Sequence, residues 1–137
     1  MPATPDTTRS DGTGAPGAAH QDGTGGLTSA VSTAVVHLLR EHTGRGPTRA
    51  KTYINQDLLT VVLQDTLTRG ERSLVEAGRS GDVLHTRHVF QQTMRVDLVD
   101  AVERLTGRKV AAFLSANHIA PDLAIESFML DPEASAA

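Results

Sequence analysis

Arg45, Thr48, Arg49 and Lys51 fall within seven consecutive positions of the stretch GRGPTRAKTYI, residues 44–54. Guanidinium and ammonium groups gathered at a turn, with a hydroxyl among them, can hold a carboxylate, phosphate or bicarbonate through charge-assisted hydrogen bonds. Arg79, in VEAGR, is a further cation able to join such a grip. Glu41 is the sole acid between positions 40 and 51, so little nearby in the chain competes for these charges. The same residues also read as a joint. Gly44 suits the left-handed position past a helix end, Arg45 complements the helix dipole, and Gly46-Pro47 turns the chain. A Walker phosphate loop is excluded, because that motif spaces its glycines more widely and leads into a helix. Here a β-branched, aromatic run follows.

Other chemistry finds less support. Asp82, His85 and His88 have a spacing that sometimes carries metal ligands, but both histidines fall opposite an apolar helical stripe, toward water. Glu76 and Arg79 bracket Gly78 and are placed to form an ion pair across a junction. GTGAPG, residues 12–17, matches the dinucleotide fingerprint in letters, yet no strand precedes it and no helix follows. No nucleophile elbow, paired-carboxylate motif or H-E-x-x-H signature is present. No catalytic residue, metal or cofactor is therefore expected.

These residues must be positioned by a small set of elements. Leu27, Val31, Val35, Leu38 and Leu39 recur at helical spacing, with Thr28 or Ser29 to cap the start and Gly44 to end it. From Thr48 the period changes to two, predicting a strand through Ile54, a turn at NQD (55–57) and a returning strand, Leu58 to Leu63. TRGE (68–71) is a capping box for a short helix reaching Ala77. A longer helix begins at Asp82, with Val83, Phe90, Met94, Leu98, Ala101 and Leu105 as its stripe and Gly107 at its end. KVAAFLS (109–115) and LAIESFML (123–130) form a second hairpin.

The order α-β-β-α-α-β-β predicts an α+β fold, a four-stranded antiparallel sheet from two hairpins with helices on one face. Such a sheet keeps two edges and one uncovered face, for which homo-oligomerisation is a natural remedy. Residues 1–26 hold six of the 12 glycines and no Leu, Ile, Val or Phe, so a disordered tail is expected there. The domain is expected over 27–131, with a short flexible C-terminus, 132–137. The longest apolar run, Val110 to Leu114, is far too short to span a membrane, and the tail lacks the apolar core of a secretory signal. Cysteine is absent, and a cytoplasmic protein is the simplest reading. Net charge is −3, with three Phe, one Tyr and no Trp, so nucleic acid is an unsuitable partner.

GRGPTRAKTYI, VVLQDTLTRGERSLVEAGR and LTGRKVAAFLSANHIAPDLAIESFML together resemble the MpsC-like family over about residues 28–131. The family usually has Lys then Arg where this chain has Arg49 then Lys51, which keeps both charges but alters any bidentate grip. The resemblance carries over no catalytic residues. It implies a soluble, non-enzymatic accessory or regulatory subunit of a bacterial sodium-translocating, membrane-potential-generating system, whose membrane subunits are associated with inorganic-carbon uptake. Its partner would be a subunit of that transport complex, met at the inner face of the membrane. The alternative is a domain sensing a small anion or a nucleotide through the basic turn Arg45–Lys51.

Overall fold

The structure, a computed structural model, describes residues 25–132. The tail expected over 1–26 lies outside the described residues except for Gly25 and Gly26, and the expected C-terminal segment does so except for Pro132. The elements are α1 (Gly26–Thr43), β1 (Arg49–Asn55), β2 (Leu58–Gln64), α2 (Arg69–Glu76), α3 (Ser80–Thr106), β3 (Val110–His118) and β4 (Leu123–Leu130). This is the expected α+β order.

Local chemistry sets most boundaries. Gly44, at φ 83°, closes α1 in the left-handed conformation that only glycine adopts without strain. Thr28 does not cap α1, because the helix starts two residues earlier; its hydroxyl lies inside the first turn and donates to the Gly25 carbonyl at 3.1 Å. The capping box of α2 is formed in full. The Glu71 amide donates to Thr68 Oγ1 at 3.1 Å, and the Thr68 amide donates to Glu71 Oε1 at 2.8 Å. Helix α3 starts at Ser80 rather than Asp82, which falls in its first turn.

The sheet order is β1-β2-β4-β3, every neighbour antiparallel, so two hairpins lie side by side with β2 and β4 at the centre. Helix α1 packs on β1 and α3, α3 packs on β3, and α2 packs on α3. Period-two alternation then sorts the strands into two faces. Leu59, Val61 and Leu63 of β2 and Ala124, Phe128 and Leu130 of β4 are buried beneath Val31, Val35, Met94, Leu98 and Val102 of the helices. Residues one step out of phase face away from the helices. Among them Leu58 is 40% exposed, Met129 43% and Leu114 64%.

Helix α3 departs from the expected stripe at one place. Phe90 is 38% exposed, and the inward line from Val83 to Met94 runs through Arg87 and Gln91 instead. At about 100° per residue the buried line is centred near Arg87 and Leu98, and Phe90 falls roughly 60° to one side of it, at the edge of the stripe.

The two faces make opposite predictions. Phe128→Ala, at 0% exposure and 4.9 Å from the Phe113 ring, is expected to cost about 3–5 kcal/mol in urea unfolding. Leu114→Ser, on the outer face, is expected to stay within about 0.5 kcal/mol of the parent.

Candidate functional site

The cations proposed for anion binding do not converge. Arg45 closes the mouth of a cavity beneath the helices, where its Nη1 donates to the Asp65 carbonyl at 2.7 Å. Arg49 and Lys51 are exposed on the opposite face of the sheet, and Lys51 Nζ lies 5.4 Å from the centre of the Tyr53 ring. Strand alternation is the reason, since Ala50, Thr52 and Ile54 take the inward positions. Thr48 is exposed and donates its amide to Gln64. Arg79 is exposed and pairs with Asp82 at 2.5 Å, so Glu76 is not its partner. His85 and His88 are exposed on α3.

The cavity itself, about 250 Å3, lies between the C-terminal end of α1, the N-terminal half of α3 and the inner face of the sheet. Ala124 gives it floor space, being a methyl in a row where the next inward positions carry Glu126 and Phe128. Leu39, Leu63, Phe90 and Met94 supply apolar walls, and Gln91, Asn117 and Glu126 supply polar ones.

Arg87 holds one side of this cavity together. Its Nε and Nη2 donate to Glu71 Oε2 and Oε1 at 2.9 and 2.6 Å, a bidentate fork. Nη1 donates to Thr66 Oγ1 at 2.8 Å and Asn117 Oδ1 at 3.2 Å, and Nη2 also donates to the Thr66 carbonyl at 2.8 Å. A guanidinium has five N–H donors, and these contacts occupy all of them. Both side chains are largely withdrawn from water, Arg87 at 14% exposure and Glu71 at 18%. Burial alone would raise the Glu71 pKa, but the hydrogen bonds from Arg87 and Thr68 and the Arg87 charge outweigh it and hold the carboxyl below its ordinary range.

Asp122 ties the same corner to the β3–β4 loop. It accepts from the Thr66 amide, the Thr66 hydroxyl and the Leu67 amide at 3.0, 2.9 and 2.9 Å. Burial pushes its pKa up, and those hydrogen bonds together with the Arg87 charge bring it below the usual value.

Glu126 is the exception. It is 1% exposed, lines the cavity, and its Oε1 has no hydrogen-bond partner among the described residues. The facing side chain in the register is Ser115, whose hydroxyl lies near enough to favour the ionised carboxyl but makes no hydrogen bond of normal geometry among the described residues. Burial raises the Glu126 pKa to about 7, opposed only in part by the Ser115 hydroxyl and the charge of Arg87. The cavity thus contains one saturated ion pair and one carboxyl with unused capacity. Glu71 cannot act as a base without breaking its fork to Arg87, so the two carboxyls do not form a working acid–base pair.

Neither Arg87 nor Glu126 stands among the residues expected from the sequence. Both carried a signal. Each is a charged residue on an otherwise buried line, Arg87 between Val83 and Met94 and Glu126 between Ala124 and Phe128.

Residues 24–132 match the family described as Na+-translocating membrane potential-generating system (MpsC). The chain belongs to the MpsC family. No curated protein and no solved structure matches it. Among the described residues no helix is long and apolar enough to cross a membrane. The MpsC match covers the whole sheet, all three helices and the cavity between them.

Because Glu126 holds its proton more tightly folded than at its ordinary 4.5, the folded state binds more protons between pH 4.5 and 7, and stability falls as pH rises through that window. The loss is complete above pH 7 and is of order 3 kcal/mol at most. Glu71 and Asp122, with lowered values, act oppositely and lose their contribution only in more acidic solution. Glu126→Gln is expected to remove the loss, so that urea unfolding at pH 8 finds it more stable than the parent and at pH 5 nearly equal to it.

Proposed function

We propose that this chain is a non-catalytic accessory subunit of the membrane potential-generating system for which its family is named. In this reading it is a cytoplasmic protein that docks through the uncovered face of its sheet. That face is the observation that carries it. Leu58, Val62, Leu114, Leu123, Ile125 and Met129 make an apolar surface across three strands, with Ala112 and Ala116 between them, and no helix among the described residues covers it. Apolar side chains left open side by side on paired strands are a common mark of an interaction site.

Charge favours a particular kind of partner. Arg49 and Lys51 border the apolar surface on β1, and the outward positions of the four strands carry no carboxylate. A second copy of the chain would bring no acid on this face to answer those cations. A partner subunit with an apolar patch flanked by Asp or Glu would do so. The inorganic-carbon transport implied by the sequence resemblance fits a complex that such a subunit would serve. The basic turn supports anion sensing less well, because the sheet separates Arg45 from Arg49 and Lys51.

The test is purification of the tagged chain from membranes of its own host, with captured proteins identified by mass spectrometry. The parent is expected to retain an integral-membrane subunit of the ion-translocating system through a gentle wash. Leu114→Arg with Met129→Arg should lose that subunit while the chain keeps its circular dichroism and unfolding midpoint. Lys51→Glu should make the association weaker and less dependent on salt. Recovery of the parent alone, or only as a homodimer built on this face, contradicts the reading.

A further inference from the structure

We propose that the cavity bounded by α1, α3 and the inner face of the sheet is a binding site for a small organic cation, a protonated amine on an apolar body, whose ammonium donates to the Glu126 carboxyl. Nothing in the docking role requires this site, and the two stand on different faces of the sheet.

The choice of ligand follows from which groups in the cavity are free. Arg87 has no N–H left to offer, since all its donors are used by Glu71, Thr66 and Asn117. Glu71 has both oxygens on Arg87, so that pair is neutral as a unit. Arg45 at the mouth is tied to Asp65. The remaining carboxyl is Glu126, almost wholly withdrawn from water, with Oε1 unpartnered among the described residues. A buried polar atom of this kind calls for an explanation, and a carboxylate is best served by a charged donor. An anion would have to sit against that carboxylate, and Arg45, the lining guanidinium with donors to spare, is already paired with Asp65.

Size and walls narrow the class further. About 250 Å3 lies below the range of roughly 300–1,000 Å3 usual for drug-sized ligands, so the occupant is small. Leu39, Leu63, Phe90 and Met94 would cover its hydrocarbon part. The titratable and charged groups around Glu126 are Arg45, Glu71 and Arg87 across the cavity, with His88 and Arg95 in the adjoining recess against Ser115. The His88 side of that recess is separated from the cavity by Gln91, which lines both.

Proton linkage gives the site a signature. An ammonium binds the ionised carboxyl, and an alkylamine stays protonated well above neutrality. Binding at pH 6 must therefore drive a proton from Glu126 into the solvent, while at pH 8 it need not. With the Glu126 pKa at about 7, the apparent Kd should be about tenfold weaker at pH 6 than at pH 8.

Isothermal titration calorimetry of the full chain tests this with n-hexylammonium, hexanoate and hexanol as probes. Hexylammonium is expected to bind one to one at pH 8, at least tenfold more tightly than hexanoate or hexanol. At pH 6, titrations in buffers of different ionisation enthalpy should show release of nearly one proton per ligand. Glu126→Gln should abolish hexylammonium binding while remaining folded by circular dichroism. Equal binding of the three probes, no saturable binding of hexylammonium, or undiminished binding to Glu126→Gln would each overturn the proposal. So would sodium chloride competing with hexylammonium at matched ionic strength, since a bare ion has no use for the apolar walls.

Discussion

A guanidinium taken out of water must have every donor met, and Arg87 satisfies that demand by drawing four segments to one point. Its partners come from the β2–α2 connection (Thr66), the first turn of α2 (Glu71) and the end of β3 (Asn117), while it stands on α3 itself. Asp122 adds the β3–β4 loop through the Thr66 and Leu67 amides. Removing one member would strand the others with unmet charge, and a broken pair of this kind costs more than the intact pair contributes. The network therefore fixes geometry more than it adds net stability. It also decides the electrostatics of the cavity, because a saturated Arg87 leaves Glu126 without a counterion.

Glu71 shows how the local and tertiary levels are joined. One of its oxygens accepts from the Thr68 amide to cap α2, and that same oxygen accepts from Arg87 on α3. The residue that starts a short helix also docks it. With no fully buried residue of its own, α2 depends on that dock for its position.

The sheet divides the labour between its faces. Its inner face supplies the core and, where Ala124 replaces a larger side chain, the cavity. Its outer face supplies an apolar surface bordered by Arg49 and Lys51. Much of this was legible in the sequence, because hydrophobic period, glycine at helix ends and the Thr68–Glu71 capping box are local signals. The strand order was set by which hairpin faces which, and the period-two alternation of β1 puts Arg49 and Lys51 on the face away from Ala50 and Ile54. The sequence neighbourhood of the cations misled in one respect. Nearness along the chain suggested a common grip, whereas alternation sends Arg49 and Lys51 through the sheet from Arg45. Arg87 and Glu126 were less visible because a charged residue on a buried line is read first as a break in the apolar pattern. Only their partners, distant in the chain, reveal that one is satisfied and the other is not.

The picture of the cavity rests on Glu126 as a buried acid without a counterion, and carbon-13 NMR of its side-chain carboxyl, assigned by comparison with Glu126→Gln, measures that directly. Titration of the ligand-free chain is expected to place the midpoint near pH 7, with Glu71 titrating below the ordinary glutamate range. A Glu126 midpoint near the ordinary 4.5 would mean that the carboxyl is hydrated or paired after all, and the cavity would lose the feature that distinguishes it.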